Sequence, residues 1–118
     1  MALFTALAAN VVDPVQISDS ITTYYTAPAT AGGYAEIVEL SVANDTTTAI
    51  TFSLYYVPSG GSYGDDNIIV KNQTLASGDA FSVTKLLGHI HLEPSGLIRG
   101  IASVASQATL KITAFEYS

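Results

Sequence analysis

The segment TTAITFSLYYV constrains the fold more than any other part of the chain. Ile50, Phe52, Leu54 and Tyr56 alternate with Thr51, Ser53 and Tyr55. A period of two places the two sets on opposite faces of an extended strand. No segment carries a sustained helical period of 3.6. The preceding segment, GYAEIVELSVAND, sets Val38, Leu40 and Val42 on one face. Glu36, Ile37, Glu39 and Ser41 supply most of the rest. Between the two lies the polar turn NDTTT, and the pair is expected to form an antiparallel hairpin.

Further β-rich runs follow at short intervals. They are QISDSITTYYTAP, NIIVKNQTL, AFSVTKLL after an ASGD turn, HIHLE, GLIRGIAS after a turn at Pro94, Ser95 and Gly96, and QATLKITAFEY. The last places Leu110, Ile112 and Ala114 inward, with Thr109, Lys111 and Thr113 outward. Seven or eight short strands with turn signals between them predict an all-β, single antiparallel β-sandwich, jelly-roll-like, over residues 14–118. Residues 1–13 read as an N-terminal arm or first strand. The run from Ala2 to Ala9 is apolar but has no basic segment before it, unlike a secretory leader. Pro and Lys are rare in the strands, so the sheet edges are expected to be covered by the arm or by another subunit.

Charge limits the partners. Acids outnumber bases ten to four, the formal charge is −6, and DEKR make up only 12% of the residues. Lys71, Lys85, Arg99 and Lys111 are scattered, which disfavours nucleic acid and anionic membrane surfaces. No apolar run approaches the ~20 residues of a helical membrane span. There is no cysteine, and hence no disulfide or thiolate metal site. Neutral Ser/Thr-rich faces with 48% apolar residues suit a chain that buries surface against its own copies.

Chemistry-bearing patterns are few. VPSGGSYGDDN, residues 57–67, lacks the lysine of a phosphate loop and the spaced acids of a calcium loop. Asp65 and Asp66 with backbone oxygens form an incomplete calcium set. The stretch reads as a long turn, with Tyr63 as a contact residue. His89, His91 and Glu93 fall on one strand face and form a weak candidate metal set. No nucleophile elbow or selected carboxylate pair is present, so neither an enzyme nor a cofactor is expected. The adjacent pairs Tyr24–Tyr25 and Tyr55–Tyr56 should each send one ring outward. Tyr24, Tyr55 and Tyr63 are the interface candidates, as oligomer contacts or a sugar platform. The sequons at Asn44 and Asn72 read as turn chemistry.

Several pieces in order carry a resemblance: YTAP, then AEIVELSVANDTTTAITFSLYYVPSGGS, NQTLASGDAFSV, GLIRGIAS and a closing strand. From about Tyr25 to Ser118 the chain resembles small all-β virion proteins of tailed bacteriophages. In these a strand ends in an Asn-containing turn and the next reads T-F-x-L-Y-x-V-P-x-G-G. An L-x-x-G-x turn then precedes another strand. The resemblance implies a β-sandwich that assembles, often as a homotrimer, on other virion proteins such as the major capsid protein. Cement or decoration, neck, tail and fibre roles all occur in that group, and assembly would take place in the host cytoplasm. The shared motifs hold no catalytic or binding residue to carry over.

Overall fold

In the computed structural model, which describes residues 7–29 and 31–117, the alternating segments form nine strands. They are β1 (Leu7–Gln16), β2 (Thr22–Thr26), β3 (Tyr34–Asn44), β4 (Ile50–Val57), β5 (Ile68–Leu75), β6 (Ala80–Ser82), β7 (Ile90–Leu92), β8 (Leu97–Ala102) and β9 (Ala108–Tyr117). Residues 7–13 thus belong to β1, which pairs antiparallel with β9. The remainder of the expected arm, residues 1–6, lies outside the described residues.

Two sheets face each other. One runs β1-β9-β3, with the short β6 and β7 both paired along the remaining side of β3; the other runs β2-β8-β4-β5. Every pairing is antiparallel. Most connections pass from one sheet to the other, and only β4–β5 and β6–β7 stay within one. This is the strand order of a jelly roll. The inward faces supply one core, in which Ile17, Ile37, Leu40, Val42, Phe52, Leu54, Leu92, Ile98, Leu110 and Ile112 are shielded from water. Each such side chain stabilises the fold by roughly 1.5–3 kcal/mol relative to exposure. Leu110, Ile112 and Ala114 all point inward, as the alternation in β9 requires.

Three local expectations are corrected. First, β3 and β4 do not pair as a hairpin: β3 lies between β9 and β6/β7, and β4 lies between β8 and β5. The reason is Asn44, which is only 1% exposed. Its Nδ2 donates to the carbonyls of Thr48 (2.8 Å) and Leu75 (3.0 Å). Its Oδ1 accepts from the Thr46 amide (3.0 Å) and hydroxyl (2.6 Å). Its backbone amide donates to Asp79 and its carbonyl accepts from Gly78. NDTTT is therefore a corner that carries the chain between sheets, and its polar groups are satisfied by the β5–β6 turn rather than by a two-strand ladder.

Second, the buried face of β3 changes parity. Ile37 is fully buried and Val38 is not, because a bulge falls between Ile37 and Glu39 against β9. One extra residue shifts the alternation from 35 and 37 to 40 and 42. Third, AFSVTKLL is not one strand. After β6, Ser82 caps a short helix α1 (Val83–Leu87), its side chain accepting from the Lys85 amide. Thr84 Oγ1 accepts from the Leu40 amide at 3.3 Å, seating α1 against β3 between β6 and β7.

The arm residues 7–13, within β1, cover the edge of β9, and the free edges carry irregularities. The β1 register shifts between Val12 and Val15, a span that contains Pro14. The β2 register shifts around Tyr24, and β4–β5 pairing shifts twice, once beside Asn72, whose φ is 48°. Bulges and an edge proline blunt the backbone's capacity to add another strand.

Candidate functional site

The outer face of the β2-β8-β4-β5 sheet holds the densest set of unusual side chains. Tyr55 on β4 stands opposite Arg99 on β8. Tyr63, from the 58–67 connection, lays its ring edge-on to Tyr55 with centroids 5.4 Å apart. The Arg99 guanidinium carbon lies 5.8 Å from the Tyr63 ring centroid. Tyr55 is 9% exposed and Tyr63 is 48% exposed, so Tyr63 covers Tyr55 and offers its own ring to solvent.

Local chemistry sets the loop that carries Tyr63. Gly61 donates to the Pro58 carbonyl (2.9 Å) and Gly60 has φ 76°, a value that favours glycine. Asn67 then donates from its amide to Gly64 (2.9 Å) and from Nδ2 to Ser62 (2.6 Å). Asp66 sits exposed within the 3₁₀ turn Asp65–Asn67. The glycine-rich stretch is a long turn that presents one aromatic side chain.

Arg99 is the chain's single arginine and was not a candidate on sequence. Its Nε is buried without a hydrogen-bond partner, and no described carboxylate meets the guanidinium. A lone arginine at an outward position of a neutral strand, in GLIRGIAS, was the available signal. Two residues further along the same face lies an open groove of about 190 Å³, lined by Thr51, Ser53, Asn72, Ile101 and Ser103 among others. Ser53 Oγ accepts from the Asn72 amide at 2.8 Å, and Ser103 Oγ accepts from the Thr51 amide at 3.0 Å.

The other predicted residues are placed elsewhere. Tyr24 is the extra residue of the β2 bulge, half-buried against the core, and its hydroxyl accepts from the Ser18 amide at 2.8 Å. Tyr25 beside it is buried and donates across the sandwich to the Glu116 carboxylate. Burial first, and then the Glu116 carboxylate, push the Tyr25 phenol well above the usual tyrosine range.

His89 and His91 separate into two exposed pairs: His89 Nδ1 is 3.6 Å from Glu36, and His91 Nε2 is 3.6 Å from Glu93. Among the described residues no three His, Asp or Glu side chains gather as a metal set. His91 instead ends an aromatic row on the outer face of the larger sheet. Tyr117 and Tyr34 stack with centroids 4.4 Å apart, and Tyr34 meets His91 at 4.6 Å. Phe115, 38% exposed, lies opposite Glu36 in the adjacent register position.

No family model matches the chain, and no curated protein matches it in sequence. Among solved structures, a subunit from Bacillus endospore appendages, described as a family of disulfide-linked pili, aligns with TM-score 0.56 and 13% identity. That alignment covers 95% of this chain and 88% of the other. Two infectious bursal disease virus structures align at TM-scores of 0.45 and 0.42, with 9% and 8% identity, over 96% and 97% of this chain. This chain spans about a third of their length, 31% and 33%. The pilus likeness shows a shared sandwich fold. None of these neighbours is a tailed-phage protein by its description.

Proposed function

We propose that this chain is a non-enzymatic structural subunit that packs against copies of itself. The observation that carries the reading is the apolar and aromatic display on the larger sheet and its edge. Leu86 and Leu87 on α1 are 68% and 56% exposed, and Phe115 stands beside the Tyr117–Tyr34–His91 row. Large apolar side chains in a chain with so few charges favour burial between subunits, where few ions need desolvating. The blunted strand edges direct that contact to side chains rather than to backbone pairing. The pilus subunit that shares the fold is itself a building block of an assembly.

The sequence resemblance supports a finer reading. The chain is a cement or decoration subunit of a tailed-phage capsid, a homotrimer seated on the major capsid protein after assembly in the host cytoplasm. Closed cyclic symmetry would suit a threefold position on a shell. Sedimentation velocity of the purified chain tests the self-association. A trimer that dissociates in Phe115→Asp or in Leu86→Asp is the expected result. A monomer at every concentration would end the self-packing reading.

A further inference from the structure

We infer that the outer face of the smaller sheet binds a carboxylate-bearing saccharide, with Arg99 and Tyr63 at its centre. This goes beyond self-assembly and uses a different face. A guanidinium presents five donors in a planar fork that fits a carboxylate through two parallel bonds. Among the described residues no carboxylate forms an ion pair with Arg99, and its Nε is buried without a hydrogen-bond partner. Its guanidinium carbon lies over the Tyr63 ring, 5.8 Å from the centroid. A charge held under an aromatic ring, with Nε already withdrawn from water, is poised for an external acceptor.

The surroundings select the ligand class. Tyr63 is braced edge-on by Tyr55 and keeps about half its surface open, a flat amphipathic platform at low entropic cost. Adjoining it on the same face, the 190 Å³ groove is lined by the Thr51 and Ser103 hydroxyls and the Asn72 side chain, while Ser53 is buried and bonded to Asn72. Side chains two residues apart on a strand share a face, so Ser53 continues from Tyr55 and Ile101 from Arg99. One cation, one ring and a row of neutral hydrogen-bonding groups match a polyhydroxylated ligand with one carboxylate. A net charge of −6 opposes ligands in proportion to their negative charge, so polyphosphates and nucleic acids are disfavoured far more than a saccharide with one carboxylate. An acidic peptide would be the competing ligand. Extended peptides commonly add to a free sheet edge, and the edges of this sheet are bulged.

The test is calorimetric titration of the full chain with galacturonate, 3′-sialyllactose, neutral lactose and triglutamate. Binding of at least one acidic saccharide, absent for lactose and triglutamate, is expected. Arg99→Gln and, independently, Tyr63→Ala should each weaken it at least tenfold. Tyr63 lies on an exposed loop, so its variant keeps the test valid if Arg99→Gln fails to fold. Binding of neither acidic saccharide would overturn the inference. So would affinity unchanged in Tyr63→Ala, or triglutamate bound as tightly as the sugars, which would mark a carboxylate dock for a protein.

Discussion

The two ends of the sandwich are built from the same residue types and behave differently. At one end, NDTTT and the ASGD turn meet, and Asn44 joins them through a fully buried amide. At the other, the loop 58–67 bonds chiefly to itself, and tyrosine hydroxyls link the sheets: Tyr25 donates to the Glu116 carboxylate and Tyr56 accepts from the Glu93 amide. Asn, Asp, Ser and Gly occur in both. Where their polar groups reach carbonyls of the opposite sheet they lock the fold. Where they close only their own turn they leave a side chain, Tyr63, free for contact. Composition alone does not separate a structural corner from a recognition loop; the destination of each hydrogen bond does.

The largest effect should come from the locked end. Asn44→Ala removes both amide donors and the acceptor from a site without water access, and is expected to lower stability by roughly 3 kcal/mol. Urea unfolding monitored by tyrosine fluorescence measures it. A loss within ordinary surface variation would erase the contrast between the ends.

The open end should be the pH-sensitive one. Tyr25→Phe is expected to cost about 1–2 kcal/mol near neutral pH, the range for a hydrogen bond to a charged group. The folded Tyr25 holds its proton more tightly than the unfolded chain does. Its contribution is therefore complete below the ordinary tyrosine pKa of about 10 and is lost as pH rises through the higher folded value. Urea midpoints measured from about pH 8 to pH 11 should fall more steeply in the native chain than in Tyr25→Phe. Tyr34, whose phenol is also raised, is present in both proteins and drops out of the difference. Parallel curves would show that the contact does not report folding.

The smallest effect belongs to the recognition loop. Tyr63→Ala should lower stability by no more than about 1 kcal/mol, because the ring is half-exposed on a loop and touches the sheet only through its edge contact with Tyr55. A larger loss would mean that the Tyr63–Tyr55 contact holds the sheet face together, and the loop would then be structural.

Much of the fold was legible in the sequence, because a period of two depends only on which face meets the core. β4, β5, β8 and β9 follow from their own residues, and so does the jelly-roll class. Pairing was not legible. The hairpin expected for β3 and β4 failed because a polar turn can close a ladder or carry the chain between layers. Only the carbonyls that Asn44 finds, 31 residues away at Leu75, decide which. The parity change at Val38 needs the β9 register, and α1 needs the gap between β6 and β7. For the site, Tyr63 was found from loop composition. Arg99 was passed over as one of four scattered cations, although its outward place in a neutral strand set it apart. Tyr24 packs half-buried against the core because it is the extra residue of the β2 bulge, which needs the β8 register to be seen.

We propose that this chain is a structural component of an assembled particle. Quantitative mass spectrometry of purified virus particles from its source tests that most directly. The account predicts the chain in the particles at hundreds of copies, comparable with the major shell protein. Its complete absence from the particles would contradict the account.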